Sequence, residues 1–199
     1  KAAGLVDDFG DVDAAVSEAA KLAKLKKGYG TRWLDRKTDW REALALRSTL
    51  GRQKLVSIVE SDGYAALKAQ LPPRENRGLV LIDPPFESDT EFDRILSALE
   101  TGYERWPTGT YCIWYPLTER AAPLRFRRNL EGSGIRKVLD LTLSVMPDDT
   151  AVGLRGSGLV IVNPPWILDE RLADLLPDLH RLLVPDGAGG TSVEWWIGE

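Results

Sequence analysis

One cysteine, one histidine and one methionine are all that the 199 residues contain. A lone Cys112, set in the strand-like GTYCIWYP, excludes an internal disulfide and fits a reducing compartment, the cytoplasm. A lone His180, inside the leucine-rich LDERLADLLPDLHRLLV, leaves one residue on which a Ser-His-Asp triad would have to be built, and packing is the plainer reading. No Cys/His/Asp cluster has metal-ligand spacing, so no metal is expected. No apolar run reaches the roughly 18 residues of a membrane span, and the N-terminus lacks a signal-peptide core. The net charge of −4 does not advertise nucleic-acid binding, although a local patch can override the total. The chain opens at Lys1 rather than methionine and reads as a fragment.

What is present is ordinary for a globular domain: 43% hydrophobic and 28% charged residues, with length for one domain of about 150 residues plus an appendage. DVDAAVSEAAKLAKLKK (11–27) reads as a helix capped by Asp11, with lysines gathered at its end. GYG (28–30) ends it. TRWL is a short strand and TDWREALALRSTL (38–50) a second helix. From there strands and helices alternate: KLVSIVE (54–60) a strand, SDGYAALKAQL a helix start, then a strand at 79–83, a helix over 89–106, a strand at 109–115, a helix over 119–131 and a strand at 136–145. GLVIVN is another strand, 168–184 a helix despite Pro177, and TSVEWWIG a last strand. Such alternation predicts βαβ units in a mainly parallel, doubly wound α/β sheet.

Two strands end alike, LVLIDPPFE (79–87) and LVIVNPPWI (159–167). In open α/β sheets, ligands bind beyond the carboxyl ends of strands, where Asp83 and Asn163 stand. Asp/Asn-Pro-Pro-aromatic suits the holding of an exocyclic amine of a base. A carboxylate or amide oxygen accepts one N–H, the first proline's carbonyl accepts the other, the second proline locks that carbonyl, and the ring stacks on the base. The rate would come mainly from placing the amine in line with a methyl donor. Asp83 carries the stronger acceptor. Ser61-Asp62-Gly63 lies upstream at the end of the preceding strand, where a carboxylate suits the amino group of an adenine. The bland reading of DPPF is a strand-ending turn, and Trp166 of the second copy reads as a cap on the core. The seven tryptophans are mostly core by expectation. Arg120, Arg125, Arg127, Arg128, Arg136 and Lys137 form the densest basic stretch, either a phosphate-binding face or a solvated helix face.

From about Leu44 to Glu199 the chain closely resembles the RlmJ family, the large-subunit rRNA adenine-N6 methyltransferases. The resemblance rests on SDGYAALKAQLPP, RGLVLIDPPFE, PTGTYCIWYP, SGIRKVL, SGLVIVNPPW and LLVPDGAGGTSVEWW, in order. It implies a Rossmann-like S-adenosylmethionine-dependent methyltransferase sheet acting on 23S rRNA. It further implies catalytic Asp83 with Pro84, Pro85 and Phe86, and donor contacts at Asp62 and Gly63. Phe86 stands where the family more often has tyrosine, which keeps the ring and loses a hydroxyl. NPPW recurs in the family as a non-catalytic feature. A monomer is expected.

The family's upstream parts have no counterpart here: a histidine-containing segment, a first strand with its glycine-rich loop, and a second strand whose acid holds the ribose. Lys37 stands where that acid belongs. The sheet is therefore expected to lack its first strands behind a short helical lead, and this chain is expected not to hold the donor with useful affinity. Residues 1 to about 40 resemble instead the C-terminal tail of signal peptide peptidase A, whose serine and lysine are not in this chain. This divides the chain into a peptidase-tail-like segment, 1–43, and the C-terminal part of a methyltransferase domain, 44–199. A non-enzymatic remnant and a peptidase fragment are the alternatives.

Overall fold

The computed structural model describes residues 31–35, 48, 56–74, 77–118, 121–147, 150 and 153–198. The helix expected over 11–27 and the GYG turn lie outside these residues, as does most of the helix expected over 38–50, of which Ser48 alone is described and is helical. The chain forms two compact units that divide between Arg77 and Gly78.

In the first unit β1 (Thr31–Asp35) and β2 (Val56–Glu60) pair in parallel, Thr31 opposite Val56. Helix α1 (Gly63–Gln70) follows at once. Its start is written in Ser61-Asp62-Gly63. Asp62 takes an extended backbone, and its Oδ1 accepts from the N–H groups of Tyr64 at 2.9 Å and Ala65 at 3.1 Å. Two otherwise orphaned donors of the first turn are thereby satisfied.

The second unit holds a five-stranded sheet in the order β3-β4-β6-β5-β7. The strands are β3 (Leu79–Ile82), β4 (Thr110–Pro116), β5 (Val138–Ser144), β6 (Gly156–Val162) and β7 (Gly190–Ile197). Only β3 and β4 are parallel neighbours; β6 runs against both β4 and β5, and β7 against β5. The mainly parallel sheet expected from the sequence is thus corrected. A central strand buried on both faces reads as a continuous apolar run whichever way it points, so GSGLVIV carries no mark of its direction. Direction follows instead from the short link between β5 and β6, which permits a hairpin-like return and not a crossover. Neither TRWL nor the strand at 56–60 pairs with β3, which is an edge among the described strands.

One face of this sheet is covered by α2 (Glu91–Arg105) and α3 (Ala121–Gly132). Phe92, Ile95, Leu99 and Gly102 recur at helical spacing on α2 and are buried. Phe92 meets Tyr115 of β4 with ring centroids 6.0 Å apart and Phe126 of α3 at 5.1 Å. The fully buried Tyr111 hydroxyl donates to the carbonyls of Gly102 and Trp106, closing the end of α2. Burial also pushes the Tyr111 phenol up to about 12 and the Cys112 thiol up to about 11. Helix α4 (Leu168–Leu183) continues through Pro177 and lies along β5 and β7, where Trp195 Nε1 donates to Asp169 Oδ2 at 2.9 Å. His180 Nε2 and the Ala188 carbonyl lie 2.8 Å apart, tying the end of α4 to the following loop, so the one histidine serves packing.

Candidate active site

The two PP copies leave the sheet at opposite edges. Ile82 pairs with Ile113, so Asp83 emerges beside Trp114. Val162 pairs with Tyr111 in the antiparallel sense, so Asn163 emerges beside Thr110, whose Oγ1 donates to the Asn163 carbonyl at 3.0 Å. Four residues of β4 separate these levels, about 13 Å along the strand. The edge reached by Asp83 is the carboxyl end of the two parallel strands, where open α/β sheets place ligands.

Asp83 is exposed, and its carboxylate has no hydrogen-bond partner among the described residues. Pro84 is half-buried and Pro85 exposed. Phe86 takes φ +50°, a left-handed value that a side chain adopts at a cost of order 1 kcal/mol. Two ring contacts hold it there: Phe92 at 5.2 Å, tilted by 57°, and Trp114 at 6.1 Å, close to edge-on. The turn is completed by Ser88 and Thr90, whose hydroxyls lie 2.9 Å apart ahead of α2, and by Arg125, which donates to the Asp89 carbonyl at 3.3 Å. The chain thus reverses at Phe86 and leaves the carboxylate before it in water.

Asn163 is built differently. Its Nδ2 donates to the carbonyls of Pro107 and Gly109, each at 2.8 Å, and its backbone N–H donates to Lys137 O at 2.9 Å. The amide is spent on fastening the loop before β4. Trp166 is 89% exposed. The expected cap on the core is thus corrected: the turn at Ile167, φ +59°, carries the indole outward. Trp106, 5% exposed, is core, and Trp195, 43% exposed, is not.

Asp62 and Gly63 belong to the first unit. Asp62 Oδ1 is engaged by the helix start, and a Cβ built on the half-buried Gly63 meets nothing within 4 Å among the described residues.

The basic stretch divides. Arg127 lies 2.8 Å from Glu194 and 3.2 Å from Glu131, with its guanidinium 5.7 Å from the centre of the Trp196 ring. Arg125 holds the Asp89 carbonyl. Arg128 and Arg136 are exposed and without a partner among the described residues, Lys137 is exposed, and Arg120 lies outside the described residues.

Sequence reasoning missed a buried acid. Asp140 of β5 is 5% exposed and accepts from the Tyr115 hydroxyl at 2.8 Å. Burial pushes its carboxyl up to about 7, the Tyr115 hydrogen bond opposes this, nearby Glu194 adds to it and Arg127 subtracts. Tyr115, in turn, is pushed far above the ordinary phenol range, first by burial and then by Asp140. A sequence signal existed, a charged residue inside the apolar VLDLTL. Among the described residues no cluster of His, Cys, Asp and Glu would hold a metal ion, and no helix is long and apolar enough to cross a membrane.

An α/β sheet with helices on both faces, a parallel pair ending in an acidic PP turn and a reversed strand set between β4 and β5 is a Rossmann-like methyltransferase sheet. The family model described as Ribosomal RNA large subunit methyltransferase D, RlmJ, matches residues 32–197, opening ahead of the boundary near residue 44 that the motifs suggest. The chain belongs to the RlmJ family. It is 45% identical over 150 residues to Ribosomal RNA large subunit methyltransferase J of Haemophilus influenzae, covering 75% of this chain and 53% of that protein. To the protein of the same name from Escherichia coli K12 it is 42% identical over 154 residues, covering 77% and 55%. A crystal structure of a Legionella pneumophila protein matches with a TM-score of 0.73 at 30% identity, over 82% of this chain and 60% of that one. The chain spans about half the length of the curated relatives it matches.

Proposed function

We propose that this chain carries the catalytic edge of an S-adenosylmethionine-dependent methyltransferase, cytoplasmic and monomeric, that modifies the N6 amine of an adenine in 23S rRNA. The observation that carries the reading is the Asp83 carboxylate: exposed, unpartnered among the described residues, and set by a rigid PP turn at the carboxyl end of a parallel strand pair.

An adenine amine is a poor nucleophile because its lone pair is delocalised into the ring. Asp83 accepts one of its N–H groups and the Pro84 carbonyl accepts the other, which returns electron density to the nitrogen. Pro85 fixes the direction of that carbonyl, since its ring locks φ. Phe86, braced by Phe92 and Trp114, offers the remaining surface of its ring to the base, a contact worth about 1–3 kcal/mol. The donor supplies an electrophilic methyl group on sulfur. Within the first unit, Asp62 and Gly63 are the residues proposed to contact the donor's adenine, and no described residue crowds Gly63. The N–C bond would form as the donor's S–CH3 bond breaks, the electron pair staying on sulfur as a neutral thioether, and the proton lost from the nitrogen has an acceptor in the Asp83 carboxylate.

The test is methylation of 23S rRNA fragments by a full-length version of the protein and by its Asp83→Ala variant. Asp83 is exposed, so the variant is expected to keep its melting temperature and lose at least a hundredfold in rate. Undiminished activity in Asp83→Ala would remove the reading.

A further inference from the structure

The second PP copy has no part in the chemistry at Asp83, yet it displays a tryptophan on a firmly held turn. Among the described residues, the side chains with left-handed backbone are Phe86 at the catalytic turn and Lys137, Asn163 and Ile167 at the opposite edge. Such conformations persist only where the surroundings impose them. Here Asn163 fastens to Pro107, Gly109 and Lys137, the Leu168 N–H donates to Pro165 O, and the Lys137 N–H donates to Gly198 O. From this frame Trp166 projects 89% exposed. Burial would be the ordinary fate of an indole.

Exposed cations lie in the neighbouring turns. Val138 pairs with Val162, so Arg136 and Lys137, both exposed, sit in the turn adjoining Asn163. Arg171 is exposed in the first turns of α4. Of the acids nearby, Asp169 is engaged by Trp195 and Glu170 is exposed. An exposed indole in the same region as exposed cations is a stacking surface with positive charge near it. It matches single-stranded nucleic acid, whose bases stack on aromatic rings while cations track the phosphates.

We propose that Trp166, with Arg136, forms a second RNA contact, in which Trp166 stacks on an unpaired base and Arg136 meets a flanking phosphate. The inference rests on the reading of RNA as the substrate. Because Trp166 leaves the sheet at the edge opposite Asp83, the base it holds is not the base being methylated.

The experiment is fluorescence anisotropy of a labelled 12-nucleotide single-stranded RNA with the 199-residue chain and its variants Trp166→Ala, Trp166→Phe, Arg136→Ala and Asp83→Ala. Trp166→Ala is expected to weaken binding roughly 5- to 150-fold, the factor that stacking of one base represents, and Trp166→Phe to recover most of it. Arg136→Ala should lower the slope of log affinity against log salt by about one. Asp83→Ala should leave the Trp166 dependence intact. Equal affinity of Trp166→Ala and wild type overturns the proposal, as does a wild type that binds no RNA. It also falls if Trp166→Ala changes only the sedimentation coefficient, which would assign the surface to a second copy of the chain. Binding through Trp166 with no methyl transfer by a full-length version sinks the reading of Asp83 alone; methylation by that version with RNA affinity indifferent to Trp166 sinks this one alone.

Discussion

Replacing Asp140 with asparagine should make the protein's stability nearly independent of pH where the wild type loses it. Asp140 is 5% exposed, and its carboxyl holds its proton up to about pH 7, against 3.8 for an unburied aspartate. An unfolded chain releases that proton at low pH, the folded chain only near neutrality, so between these values folding takes up a proton. Stability is therefore fully present below pH 3.8 and falls as pH rises through about 7. A difference of this size is worth on the order of 4 kcal/mol across the whole window, of which somewhat more than half falls between pH 5 and pH 8. Asparagine keeps an oxygen for the Tyr115 hydroxyl, which donates to Asp140 at 2.8 Å, and carries no charge to bury. Urea denaturation at pH 5, 6, 7 and 8 is the assay, with the wild type expected to weaken by about 2–3 kcal/mol and Asp140→Asn to change by much less. Parallel pH profiles for the two proteins would refute the argument, because they would show that Asp140 ionises alike in both states.

Phe86→Tyr should keep stability and, in a full-length version, methylation. Phe86→Ala should lose about 1–3 kcal/mol in a urea melt through its contacts with Phe92 and Trp114, along with most of the activity; equal rates for the two on one RNA would sink the stacking role. Asn163→Asp should cost about 2–4 kcal/mol, since the carbonyls of Pro107 and Gly109 lose their donor and face a carboxylate instead. A loss below about 0.5 kcal/mol in the same melt would show that the two 2.8 Å bonds fasten nothing.

Much of the fold was legible because its signals are local. Apolar runs bounded by glycine and proline mark β3, β4 and β6, the stripe Phe92, Ile95, Leu99 marks α2, and Asp62 announces the start of α1. The placing of Asp83 after an apolar strand could likewise be read directly. Strand direction could not. The pattern that makes LVIV a buried strand is unchanged by reversal, and the partner of a strand is chosen by sheet closure and link length rather than by its own residues. For the same reason the outward setting of Trp166 was hidden, since it depends on left-handed backbone at Asn163 and Ile167 that only tertiary hydrogen bonds sustain. Asp140 was missed as a site because a single acid within a strand is silent about whether its neighbour across the sheet is a tyrosine.

Why two nearly identical turns serve different ends comes down to strand direction and to one atom. Strand β3 runs parallel to β4 and delivers its PP turn to the carboxyl edge. Strand β6 runs against β4 and delivers the same turn to the loop where β4 begins. At that second edge the neighbours are carbonyl oxygens of Pro107 and Gly109, and only a side chain that donates can settle there. Asparagine has an N–H pair to give, and both hydrogens are used. At the first edge the proposed guest is itself an amine, so the host must accept. An ionised aspartate offers acceptors alone, and nothing among the described residues competes for its oxygens. The exchange of one nitrogen for one oxygen thus sorts the copies: the amide is consumed in holding the protein to itself, and the carboxylate is left free to hold something else.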